Sequence, residues 1–224
     1  MTAPRLAAHA VTRSFPTPAG EVTAVAGVDL EVAAGELLVV RGRSGSGKTT
    51  LLNLLAGLDR PTSGSVTLDG VDVAGMDAAQ RRAMRHRVGY VLQSFGLVDV
   101  LSAAENVEVP LRLQRVAAGE RMRRVAAALE AVGLGAHGHQ RPAELSGGQR
   151  QRVGIARALV AEPTVLLADE PTGQLDSGTA ATVMDLLHAL ARERSVAMVV
   201  TTHDPVLVAR ADRVLTLHDG RVGA

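Results

Sequence analysis

The chain contains no cysteine and no tryptophan, one tyrosine, two phenylalanines and, among 24 basic residues, a single lysine. Without cysteine there is no disulfide framework, no thiolate metal site and no cysteine nucleophile, a composition that fits a reducing cytoplasm. A formal charge of +1 argues against a protein that holds nucleic acid mainly by bulk electrostatics. No stretch reaches the roughly 20 mostly apolar residues that cross a bilayer as a helix. The opening MTAPRLAAHAVTRSFP lacks the basic and then apolar run of a secretory leader. The expectation is a chain that does not cross a membrane by itself. Internal repeats are absent too. What remains is a globular composition, 224 residues at 46% hydrophobic, long enough to bury a real core.

The pattern alternates strands with helices. RLAAHAVTRSF and VTAVAGVDLEV read as strands broken by Pro16, Pro18, Gly20 and Gly27, and Val28–Val32 alternates with the period of a half-exposed antiparallel strand. LLVVR (37–41) is a continuous apolar run suited to a strand buried on both faces. A glycine-rich loop follows, then a helix with Leu51, Leu54, Leu55 and Leu58 at helical spacing. Residues 64–75 suggest a hairpin turning at Asp69-Gly70. Arg81, Arg82, Arg85 and Arg87 read as a solvated basic face. Val88–Leu92 reads as a strand ending at Gln93. From there to about 140 the pattern is helical, with Met122, Val125, Leu129 and Val132 on one face. TVLLAD (164–169) and VAMVVTT (196–202) are further apolar strands flanking a helix, and a last strand turns at Asp219-Gly220. This predicts an α/β fold: a parallel-core sheet, an N-terminal antiparallel β portion and an inserted helical portion.

Three segments carry chemistry. Gly42, Arg43, Ser44, Gly45, Ser46, Gly47, Lys48 and Thr49 match GxxxxGK[ST] between a strand and a helix. Glycines let successive backbone N–H groups face phosphate oxygens, and the helix beginning near Lys48 adds its positive end. Lys48 reaches the β and γ phosphates as a compact charge, where a planar guanidinium does not fit. In a chain that otherwise uses arginine, the lone lysine sits here. Thr49 offers a hydroxyl to Mg²⁺. The second segment ends an apolar strand in Asp169-Glu170. The first carboxylate suits Mg²⁺, and the second suits orienting and deprotonating an attacking water. The third, Leu145-Ser146-Gly147-Gly148-Gln149, sets an N-cap serine and two glycines at a helix start, a second phosphate-binding helix terminus.

LSGGQ in this company resembles the signature of the ATP-binding cassette (ABC) ATPases. The other motifs of that family appear in order: Gln93 resembles its Q-loop, Leu175-Asp176 its D-loop and His203 its switch histidine. The resemblance spans nearly the whole chain, as one cassette domain over 1–224 with a core of roughly 1–93 and 160–224 and a helical subdomain of roughly 94–159. It implies ATP held by Lys48 and the 44–50 backbone, Thr50 included, with Thr49, Gln93 and Asp169 around Mg²⁺. Glu170 is then the general base, with His203 on the γ-phosphate and Ser146, Gly147, Gly148, Gln149 and Asp176 on the nucleotide of a second copy. The family stacks adenine on an aromatic upstream of the loop, which assigns Phe15. Tyr90 and Phe95 read as packing, and His137 and His139 as loop histidines. Arg43 stands where proline is frequent, Thr49 where serine is usual and Gln174 where asparagine is common. None of these removes a needed group.

The resemblance implies a homodimer with composite ATP sites. It also implies a separate transmembrane permease docked on the helical subdomain, and a peripheral place on the cytoplasmic face of the membrane. VLQSFGLVDVLSAAENVEVPL, RPAELSGGQRQRVGIARAL and LLADEPTGQLDS resemble the branch serving macrolide export and lipoprotein release. The alternative is a cassette driving a non-transporting complex that acts on cell-wall enzymes. DNA-repair relatives insert long coiled coils between loop and signature, whereas about one hundred residues lie between them here, without sustained heptads. A GTPase needs a second lysine in its base-reading motif, and the chain has none.

Overall fold

The computed structural model describes residues 3–18, 20–204 and 208–223. A four-stranded antiparallel sheet is built from β1 (Leu6–Thr17), β2 (Gly20–Val32), β4 (Ser63–Leu68) and β5 (Val71–Asp72), in the order β2-β1-β4-β5. Val28, Leu30 and Val32 are buried while Asp29 and Glu31 face out, as the alternation requires. The second sheet has six strands in the order β10-β9-β3-β8-β7-β6. These are β3 (Leu37–Arg41), β6 (Val88–Val91), β7 (Val165–Asp169), β8 (Ala197–Thr202), β9 (Arg213–His218) and β10 (Arg221–Gly223). All neighbours are parallel except β9 and β10, joined by the Asp219-Gly220 turn.

The parallel strands read as unbroken apolar runs because both faces are covered. Leu38 and Val40 of β3 point into a cluster with the antiparallel sheet and α1 (Lys48–Leu55). Leu37 and Val39 point the other way. There they meet α3 (Ala103–Leu113), α4 (Ala118–Ala131), α5 (Gly147–Leu159) and α6 (Ser177–Glu193). A short basic helix, α2 (Ala78–Arg85), is capped by Asp77 and buries only Met84.

Three expectations need correction. The segment after Gln93 is not helical at once: residues 92–102 form turns and loop, α3 begins at Ala103, and helix stops again before α4 and after Ala131. Asn106 is the reason the loop is ordered. Fully buried, its amide donates to the carbonyls of Val98, Leu101 and Ser102 and accepts from the Val98 N–H. Met122 lies outside the apolar face of α4, 68% exposed, while Val125, Leu129 and Val132 are buried. Leu58 is 59% exposed because α1 ends at Leu55, and the chain then turns at Gly57 in the left-handed region, φ +63°.

Candidate functional site: a phosphate loop facing two strand-end carboxylates

The C-terminal ends of β3, β8, β7 and β6 open onto one cleft of about 700 Å³, the edge where ligands of open α/β sheets bind. Arg43, Ser44, Gly45, Gly47, Lys48, Thr49 and Thr50 line one side. Gln93, Asp169, Glu170 and His203 line the other.

The loop takes its shape from its glycines. Gly47 has φ +100°, and a Cβ there would sit 2.1 Å from the Ala24 carbonyl oxygen, so no side chain fits without moving β2. A Cβ on Gly42 would meet the Leu217 carbonyl and the Ser46 hydroxyl, each at 2.4 Å. Outside the loop, Ala26 and Ser46 are both tied to Gly220, which clamps it between β2 and the β9–β10 turn. α1 starts at Gly47 with no side-chain cap, so its first amides remain available to an anion.

Lys48 is 6% exposed, and its ammonium donates to the carbonyls of Gly42 (2.8 Å) and Arg43 (3.1 Å). It also pairs with Glu170 Oε1 at 3.2 Å. The other carboxylate oxygen of Glu170 lies 3.3 Å from His203 Nδ1. Glu170 itself has φ +43°, a left-handed conformation that costs a non-glycine residue about 1–2 kcal/mol. This turn takes the chain off β7 and aims the carboxylate back across the cleft. Thr49 Oγ1 donates to Asp169 Oδ2 at 2.7 Å. Thr201, fully buried at the end of β8, donates to Asp169 Oδ1 at 2.7 Å and accepts the Glu170 N–H at 2.8 Å. Thr201 was not singled out in the sequence, since only the β7–β8 pairing reveals what it holds. The Thr49 and Asp169 oxygens meet at one corner of the cleft that Gln93 also lines, and a hydroxyl, a carboxylate and an amide oxygen are hard donors of the kind that fit a cation such as Mg²⁺.

The signature residues lie elsewhere. Ser146 caps α5: its hydroxyl accepts the Gln149 N–H, and the Gln149 side chain accepts the Ser146 N–H. Asp176 caps α6 by accepting from Thr179, and hydrogen bonds from Thr179 hold its carboxyl below the usual range. The two helix starts touch: a Cβ on Gly148 would come within 2.4 Å of Thr179 Cγ2, and one on Gly147 would rest 3.7 Å from Leu175. Small residues here let signature and D-loop form one surface. None of Ser146, Gly147, Gly148, Gln149 and Asp176 lines the cleft. Phe15 is half-buried on β1, paired with Val22, with the Arg13 guanidinium 4.3 Å from its ring centroid. It does not line the cleft either. His137 bonds Gln140.

Two other cavities are of note. One of about 530 Å³ runs between α2, β6, α3 and α5. Within it Arg157, its charge disfavoured by burial, donates to the carbonyls of Phe95 and Gly96, just beyond Gln93. Another of about 470 Å³ lies at the opposite edge of the sheet, remote from the carboxylates. Its Arg5, Arg123 and Arg124 are already paired with Asp69 and Glu120.

A glycine loop, a lysine and a helix N-terminus opposite an Asp-Glu strand end define a nucleoside-triphosphate hydrolase of the phosphate-loop class. The ABC transporter family model matches residues 25–173, and the chain belongs to that family. It is therefore an ATP-binding cassette that hydrolyses ATP in coupling with transport. It is 45% identical over 218 residues to the lipoprotein-releasing system ATP-binding protein LolD of Chromohalobacter salexigens, covering 97% of this chain and 92% of that one. It is 43% identical over 224 residues to the macrolide export ATP-binding/permease protein MacB of Hyphomonas neptunium, of which it spans 34%. Among solved structures it is similar to the dimeric post-hydrolysis state of the cassette MJ0796 bound to ADP and Pi. That match has a TM-score of 0.89 at 37% identity, covering 98% of this chain and 97% of that one.

Proposed function

We propose that two copies of this chain close around two ATP molecules and drive a separate membrane permease of the lipoprotein-release or macrolide-export type. The observation that carries this reading is the division of the site. Loop, carboxylates and His203 share one cleft, while Ser146, Gly147, Gly148 and Gln149 form a second phosphate-ready surface on the same chain but outside it. A two-fold axis that lays one copy's signature on the other's loop completes both sites at once.

In this arrangement the triphosphate lies along the 44–50 backbone and draws Lys48 onto its β and γ oxygens, so Lys48 leaves Glu170. The freed carboxylate, steadied by His203, orients the attacking water as general base. Thr49, Gln93 and Asp169 would hold Mg²⁺, and the ion would supply neutralisation of charge on the phosphates. Ser146, Gly147, Gly148 and Gln149 meet the γ-phosphate of the partner copy, beside Asp176. Phe15 offers adenine the ring face that Arg13 leaves open. Cleavage removes the γ-phosphate that joins the halves, and they part.

Residues 94–159 serve as the helical subdomain in this reading. The groove holding Arg157 is the permease dock, since a shift there is passed to Gln93 through the carbonyls of Phe95 and Gly96. No helix among the described residues is long and apolar enough to cross a membrane. A peripheral position on the cytoplasmic face, with no role for nucleic acid, follows from the partnership. The cell-wall alternative gains nothing from the relatives named above, and the permease selects the substrate.

A mixing experiment tests the divided site. Lys48→Ala and Ser146→Arg should each abolish hydrolysis. Equal amounts together should recover part of the wild-type activity, because a mixed dimer carries one intact site, the Ser146→Arg copy's loop against the Lys48→Ala copy's signature. A mixture as inactive as its components would overturn the composite site.

A further inference from the structure

Tyr90 is the only tyrosine of the chain and sits on β6 three residues before Gln93. Its ring packs with Val88 and Met76 against the apolar cluster on the α1 side of the sheet, a place that a phenylalanine would fill equally well. What the tyrosine adds is a hydroxyl, which donates to Asn53 Oδ1 at 3.3 Å. Asn53 lies on α1 four residues after Thr49, so the two share a helix face. From that face Thr49 bonds Asp169 on β7 and Asn53 bonds Tyr90 on β6. β6 and β7 are parallel neighbours, with Tyr90 opposite Leu167. The phosphate-loop helix is thus tied by one polar bond to each of two adjacent strands.

We propose that Tyr90 is a positioning residue for the metal end of the site, its bond to Asn53 fixing the separation of Thr49 on α1 from Gln93 beyond β6. The inference rests on the reading of Thr49, Gln93 and Asp169 as the oxygens that hold Mg²⁺. Six-coordinate Mg²⁺ demands near-ideal octahedral geometry, so its binding is sensitive to the spacing of ligands drawn from different elements. The Thr49–Asp169 bond sets α1 against β7 alone. Gln93 is exposed two residues past the end of β6, at the rim of the cleft, and among the described residues no hydrogen bond joins its side chain to α1. Tyr90 supplies that second constraint. Burial and the nearby Asp169 carboxylate raise the phenol far above physiological pH, which keeps the hydroxyl a neutral donor. Tyr90 also lines the groove that holds Arg157, so an occupant of that groove touches the same side chain.

Titrating a fluorescent ATP analogue into the full chain, in EDTA and across Mg²⁺ concentrations, separates this role from simple packing. Tyr90→Phe keeps the ring and removes the bond. The Mg²⁺ concentration giving half of the metal-dependent tightening should rise about two- to tenfold, the scale of one hydrogen bond, with affinity in EDTA unchanged. Asn53→Ala should do the same, and the double variant should be no worse than either single one. An unaltered Mg²⁺ dependence in both single variants overturns the proposal. Equal weakening with and without metal also overturns it, since that marks a general loss of structure. A wild-type protein whose nucleotide affinity ignores Mg²⁺ would instead overturn the metal reading beneath it.

Discussion

Thr201 has one hydroxyl and two tasks: its proton goes to Asp169 and its lone pair takes the Glu170 N–H. The Asp169 carboxylate and the backbone that carries Glu170 are therefore both fixed by a residue that need not touch nucleotide. Thr201→Val keeps the shape but leaves a buried acceptor and a backbone N–H unpaired, a loss of about 1–3 kcal/mol in stability. ATP hydrolysis should fall by at least about tenfold on the same scale, while Thr201→Ser keeps most of both. Thermal melts and phosphate-release assays on the two variants check this. Residues of this kind are hard to read in a sequence. Lys48, Asp169, Glu170 and Ser146 stand out because each belongs to a short contiguous pattern whose chemistry can be argued in place. Thr201, Asn53 and Arg157 act across the sheet or between helices, and their partners are named only once strand order is known.

The elements follow the same division. β3, β7 and β8 were legible as unbroken apolar runs because a strand covered on both faces has no polar side to confuse the pattern. The region after Gln93 reads as continuously helical in sequence because its apolar spacing hides a loop held by one buried side chain, Asn106. Met122 keeps the helical period of its neighbours yet sits beyond the edge of the face that α4 buries. The join between α3 and α4 depends on Glu108, which is bonded by Arg121 at 2.6 Å and also by Arg112. The Arg121 bond, chiefly, holds the Glu108 carboxyl below its ordinary value against partial burial. With the folded pKa depressed, the stabilisation is present above the unfolded pKa of about 4.3 and is lost as pH falls through the folded value. Acid should therefore loosen α3 and α4, and Glu108→Gln should melt lower at pH 7 while losing less between pH 5 and pH 3. Circular dichroism melts across that range give the answer. A pH profile of Glu108→Gln parallel to wild type would show that the pair does not matter.

Across the whole molecule, two phosphate-ready surfaces occur once each and do not meet. The cleft holds Lys48, Asp169, Glu170 and His203, and the helix starts capped by Ser146 and Asp176 pack against each other outside it. The sequence motifs made both surfaces legible, since each is local. Their separation in space comes from the fold, and the proposal of a second copy rests on it. Light scattering of Glu170→Gln, which retains the site's shape but lacks the proposed base, tests the claim most directly. With Mg-ATP the mass should double from 23.3 kDa, and adding Ser146→Arg should return it to a monomer that still binds ATP. A Glu170→Gln protein that binds Mg-ATP and yet stays monomeric at every concentration would contradict the account that ATP joins the two halves.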